Sequence, residues 1–111
     1  MLRYKLYVED ILKTIAQIEK SLDSKTREYF EKDFDIGEAT AMRMQIIGES
    51  IHKLPKELKE KYNEINWERF VEFRNTVSHT YFKINKDMLW DVVKEELPKL
   101  KIIVDKIKNE E

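Results

Sequence analysis

From Tyr4 onward the apolar residues Val8, Ile11, Ile15, Ile18 and Leu22 recur at alternating steps of four and three, which lays a single stripe along an α-helix of about six turns. Arg3, Lys5, Glu9, Asp10, Lys13, Gln17 and Lys20 fall mostly off that stripe and predict its solvent face. The run from Asp23 to Asp33 is polar, with Tyr29 and Phe30 as its anchors, and reads as a connection with one short helical turn. Asp35 precedes Glu38 by three residues, the Asp form of a capping signature. A second stripe follows through Thr40, Met44, Ile47, Ile51 and Leu54, supported by Ala39 and Ile46. Pro55 disfavours a helical conformation in Leu54 and ends that helix there, while suiting the first turn of a short helix reaching Tyr62.

Asn66 is placed to cap a third helix with apolar positions Trp67, Phe70, Val71, Phe73 and Val77, running into residues 74–82. A last helix starts near Asn85 to Asp87 and uses Leu89, Val92, Val93, Leu97, Leu100, Ile103, Val104 and Ile107, with a kink or restart expected at Pro98. Two glycines and two prolines in 111 residues leave too little turn chemistry for a sheet. The chain is therefore expected to be all-α, a single domain over 1–111. Its architecture would be an antiparallel bundle of four main helices plus short helical segments.

Composition narrows the function. Lys+Arg 21 against Asp+Glu 22 gives a net charge of −1, which argues against broad electrostatic capture of nucleic acid or of an anionic membrane and leaves room for a small basic site. The absence of cysteine removes disulfides, thiolate nucleophiles and Cys-ligated zinc, and fits a reducing compartment. No apolar run has the length of a signal peptide or a membrane span, so the expected location is cytoplasmic. His52 and His79 form no metal-binding pair at helical spacing. No Gly-rich phosphate loop or cofactor signature is present, and no cofactor is expected.

The densest polar chemistry lies in residues 73–82, Phe-Arg-Asn-Thr-Val-Ser-His-Thr-Tyr-Phe. An imidazole moves protons near neutral pH and a guanidinium clamps a phosphate bidentately. His79 and Arg74 together suit metal-free cleavage of an RNA phosphodiester, one transferring the proton and the other stabilising charge on the pentacoordinate phosphorus. Five residues apart, they would project about 140° from one another on a continuous helix. Either the helix breaks before His79 or two chains pool their residues. The plainer alternatives are a salt bridge or interface contact for Arg74, a helix C-terminal cap for His79, a core plug for Tyr81 beside Phe82, and a backbone contact for Asn75. Gly48, inside the second helix, marks close helix packing. His52 reads as a surface residue, and the role of Glu49 is open.

The string Arg-Asn-Thr-Val-Ser-His-Thr-Tyr-Phe, with Ile47-Gly48-Glu49, Leu54 to Leu58, Trp67, Trp90 and Leu97-Pro98 in this order, resembles the HepT family of HEPN-domain proteins over about residues 2–108. Those proteins are toxins of two-gene toxin–antitoxin systems, partnered by the minimal nucleotidyltransferase MntA. The resemblance implies a helical bundle that forms a homodimer with its two Arg-x₄-His motifs facing each other. It further implies a metal-independent ribonuclease acting on RNA, with Arg74 and His79 catalytic, Asn75 supporting them, and Tyr81 the acceptor of AMP from the antitoxin. Family members often have glycine where this chain has Glu72 and proline where it has Asn66. A second class of function is a non-catalytic helical adaptor that binds the nucleotidyltransferase through the same motif.

Overall fold

The structure, a computed structural model, describes residues 3–80 and 85–111, with side chains described outside 75–80. Helix α1 spans Tyr4–Leu22 and buries Val8, Ile11, Ile15, Ile18 and Leu22, the stripe expected from the spacing. It stops at Asp23, and Ser24 takes φ 63°, the left-handed turn that commonly ends a helix. The following connection is more structured than its polarity suggested. Thr26 accepts a hydrogen bond from the Tyr29 amide and opens α2, Arg27–Lys32, whose Phe30 is fully buried.

Helix α3 spans Phe34–His52. Its cap is Asp33 and not Asp35: the Asp33 carboxylate accepts from the Ile36 amide at 3.0 Å, and Asp35 falls in the first turn. An extended φ/ψ at Asp33 is what lets its side chain turn back onto the helix start. Thr40, Met44, Ile47 and Ile51 are buried as expected, whereas Ile46 is 47% exposed. Pro55 starts α4, Lys56–Lys61, and Asn66 accepts from the Arg69 amide at the start of α5, Trp67–Thr80. After it come α6, Lys86–Asp91, capped by Asn85, and α7, Leu97–Glu110.

Between α6 and α7 the chain widens into a π-helical stretch, Val92–Glu96, and the α-helix restarts at Leu97 with Pro98 in its first turn, the restart expected at that proline. Proline has no N–H and its ring crowds the carbonyl four residues back. The wider turn, in which the Leu97 amide donates to Val92, takes up that mismatch before the α-helix resumes. Leu89, Val92, Leu97, Leu100, Val104 and Ile107 thereby all stay in the core.

The four long helices α1, α3, α5 and α7 form the bundle; α3 packs between α1 and α5, and α7 lies against α1. Among the described residues there is no strand. The α3–α5 pair is the most extensive contact. Its closest point is Gly48, where an added Cβ would stand 2.5 Å from the Phe70 carbonyl oxygen and 3.3 Å from the Arg74 amide nitrogen. Helix α2 is tied to α6 through charge: Arg27 pairs with Asp87 at 3.2 Å and Asp91 at 3.0 Å, and the Lys86 ammonium donates to the Glu31 carbonyl at 3.1 Å. The tilted Phe30–Trp90 ring pair, centroids 5.3 Å apart, lies beneath.

In an open helix Gly48→Ala would stabilise by about 1 kcal/mol; here the methyl group meets backbone that cannot rotate away, and the net loss in urea unfolding should be about 1–3 kcal/mol. The Ile36 amide, the largest influence on Asp33, holds its carboxyl below the usual aspartate range. A folded pKa below the unfolded one adds stability above the ordinary aspartate range, and that stability is lost as pH falls through the lower folded value. Asp33→Ala should therefore lower the melting temperature at neutral pH, with the difference from wild type shrinking in acid.

Candidate active site

Arg74 stands one turn beyond Phe70 on α5, where that helix touches Gly48. Its position is fixed from upstream. The Trp67 indole N–H donates to the Tyr62 carbonyl at 2.8 Å and the Lys59 carbonyl at 3.2 Å, tying the start of α5 to α4 and its exit. Arg69 then donates through Nε and a terminal nitrogen to the two carboxylate oxygens of Glu96 at 3.1 and 3.3 Å, a two-point link to the π-helical stretch. With Phe70 and Phe73 buried, the half-buried Arg74 has little freedom at its root.

The carboxylate on Arg74 belongs to Glu49, the residue after Gly48. Arg74 Nε donates to Glu49 Oε2 at 2.9 Å. One turn further along α3 the Lys53 ammonium lies 4.0 Å from Glu49 Oε1, and the same ammonium sits 5.5 Å above the Tyr7 ring of α1. Tyr7, Lys53, Glu49 and Arg74 thus form a chain of contacts across three helices. The hydrogen bond from Arg74, the largest influence, outweighs desolvation and, with the charges of Arg74, Lys53 and His52, holds the Glu49 carboxyl below its usual range. The pair is open to solvent on both sides, with side chains 30% and 46% exposed. Screening keeps its contribution to stability small, and its main effect is on where the guanidinium points.

The remaining expected site residues are placed less fully. The backbone at positions 75 and 79 is helical, because α5 continues through Thr80. The side chains of Asn75 and His79 lie outside the described residues, and so does Tyr81 altogether. His52 is exposed and Glu72 points to the solvent face of α5. Among the described residues no group of three His, Cys, Asp or Glu side chains could hold a metal ion. No helix among them is long and apolar enough to cross a membrane.

Two features escaped the sequence pattern. Glu49 becomes the partner of Arg74, and its signal was the glycine immediately before it: a mid-helix Gly reports a close approach, and the next side chain borders that contact. Met42 and Ile46, 55% and 47% exposed, lie on the same face of α3 as Glu49. Their signal was a spacing of four residues running beside the buried stripe.

The ribonuclease HepT-like family profile matches residues 11–107. A protein of Thermococcus cleftensis named probable ribonuclease HepT is 33% identical over 109 residues, covering 95% of this chain and 96% of that one. A Methanocaldococcus jannaschii protein named gamma-glutamylcyclotransferase and putative RNase is 40% identical over 106 residues, 96% of this chain and 48% of its own length. This chain thus spans about half of that relative. An RNase so named from Caldanaerobacter subterraneus subsp. tengcongensis, also as putative, is 30% identical over 105 residues, 95% and 94% of the two chains. No solved structure is a significant match. With the profile spanning α1 to α7 and the bundle all-helical, the chain belongs to the HepT-like ribonuclease family.

Proposed function

We propose that this chain is the toxin of a two-gene toxin–antitoxin pair. It would be a metal-independent endoribonuclease whose site is assembled from Arg74 and His79 at the two-fold axis of a homodimer, and silenced when a nucleotidyltransferase antitoxin transfers AMP to Tyr81. The observation that carries this reading is the continuity of α5 through Thr80. On an unbroken helix positions 74 and 79 diverge by about 140°, so one chain does not aim both at one phosphate, and a second copy supplies the missing partner. Met42 and Ile46, exposed on the α3 face that carries Glu49, are apolar surface that such a copy would cover.

The chemistry asks for a base, an acid and a fixed cation. The His79 imidazole takes the proton of an RNA 2′-hydroxyl, whose oxygen attacks the adjacent phosphorus; the bond to the 5′-oxygen breaks, and the imidazolium so formed gives that oxygen the proton. The products are a 2′,3′-cyclic phosphate and a 5′-hydroxyl. Arg74 offsets the charge on the non-bridging oxygens. In the silencing step the Tyr81 phenolic oxygen attacks the α-phosphorus of ATP, pyrophosphate leaves, and the phenol loses its proton. The attached AMP adds bulk and negative charge where an RNA phosphate would sit. With a net charge of −1, the affinity for RNA comes from this local site and not from a basic surface.

In EDTA the unmodified protein should cleave a mixed RNA pool and leave cyclic phosphate ends. Arg74→Ala and His79→Ala should each lose at least about 100-fold in rate while keeping the helical circular dichroism signal. Light scattering should give a dimer. Incubation with the antitoxin and ATP should add AMP to wild type and not to Tyr81→Phe, read by intact mass. A monomer, or cleavage indifferent to both substitutions, would favour the adaptor, a protein substrate of the nucleotidyltransferase with no cleavage of its own.

A further inference from the structure

We infer that Glu49 is a positioning residue for the ribonuclease site, orienting the Arg74 guanidinium through its Nε edge. The inference rests on the reading that Arg74 contacts the scissile phosphate.

Three observations meet at this point. Gly48 removes the side chain that would otherwise separate α3 from α5, so the two backbones touch at Phe70 and Arg74. Glu49, fixed in direction by that contact, then receives the Arg74 Nε–H at 2.9 Å across a sequence separation of 25 residues. Lys53 steadies the other carboxylate oxygen at 4.0 Å from one turn along α3, and is itself set over the Tyr7 ring. A guanidinium is planar: gripping it at Nε, with its stem rooted on α5, sets the direction of the fork formed by its two terminal nitrogens. Those nitrogens are the edge that engages two oxygens of a phosphate. A carboxylate on Nε therefore aims the cation through that nitrogen, at the residue the chemistry requires to be preset before the transition state.

A purely structural ion pair would behave differently. Solvent screens this pair on both sides, so removing it should hardly change folding, whereas a misaimed catalytic cation costs rate about 10- to 100-fold. Substrate affinity, set by ground-state phosphate contacts, should change little. Glu49 also has to be ionised to hold Nε. Since its carboxyl titrates below the usual range, the grip is complete at neutral pH and is lost only as pH falls through that lowered value.

The test uses full-length dimeric protein and a short RNA of defined sequence. Glu49→Ala and the isosteric Glu49→Gln should lower kcat about 10- to 100-fold with KM within about twofold of wild type, and Glu49→Asp should restore part of the loss. Melting temperature should stay within a few degrees. The Nε–H resonance of Arg74, followed by NMR, should exchange slowly in wild type and be lost or broadened in Glu49→Ala. In an Arg74→Lys background, which has no Nε–H to grip, Glu49→Ala should cost nothing further. Unchanged or raised kcat in both Glu49→Ala and Glu49→Gln, while Arg74→Ala abolishes cleavage, would overturn the inference alone. So would an equal loss on Glu49→Ala in the Arg74→Lys background. Cleavage unaffected by Arg74→Ala would overturn the ribonuclease-site reading, and this inference with it.

Discussion

Where Gly48 faces the Phe70 carbonyl, two helix backbones approach with no side chain between them. That closeness governs the rest of the site. It sets the distance between α3 and α5, puts Glu49 within hydrogen-bond reach of Arg74, and leaves Met42 and Ile46 on the outer face of the same helix. A larger residue at position 48 would push α5 outward by the width of its own side chain, and a 2.9 Å hydrogen bond does not survive such a shift. Helix propensity alone would favour Ala at this position; glycine is required by the packing.

Around this joint, apolar burial and charge divide the labour. Ile11, Ile15, Met44, Ile47, Leu100 and Val104, all fully buried, supply the non-directional hydrophobic drive that gathers the helices. Hydrogen bonds and ion pairs then determine how the elements next to the site are set. The Trp67 indole and the Arg69–Glu96 pair secure α5 before it reaches Arg74, while Arg27 with Asp87 and Asp91 secures α6 beyond it. These charged pairs are largely exposed, so their value lies in direction more than in energy. The polar motif is thus flanked on either side in sequence by anchored helices.

Much of this was legible in the chain. The stripe from Tyr4 to Leu22, the cap Asn66, the start of a helix near Asn85 and the close packing at Gly48 follow from rules that act within a few residues, and the structure bears them out. The misses have physical causes. Asp33 and Asp35 are both competent caps, and the choice fell to the residue whose backbone could turn extended. The restart at Leu97-Pro98 was legible from the proline, but the π-helical turn before it was not, because a helix absorbs a missing N–H on its N-terminal side. Ile46 matched a helical apolar spacing and yet is exposed, because periodicity reports that a face is apolar and not what covers it. The Glu49–Arg74 contact joins residues on two helices, and no local spacing rule reaches that far. At the motif itself, the family resemblance named Arg74 and His79, and the helical backbone of α5 through Thr80 supports the proposal that two chains pool their residues.

The central claim is that one phosphate is served by two copies of the chain, and it is tested most directly by complementation. Arg74→Ala and His79→Ala proteins, each inactive alone, would be unfolded together and refolded as a mixture, and RNA cleavage measured in EDTA. Mixed dimers carry an intact arginine on one copy and an intact histidine on the other, so the account predicts that cleavage returns in the mixture and in neither parent. A mixture as inactive as its parents, with mixed dimers verified by native mass, would contradict a site shared between chains.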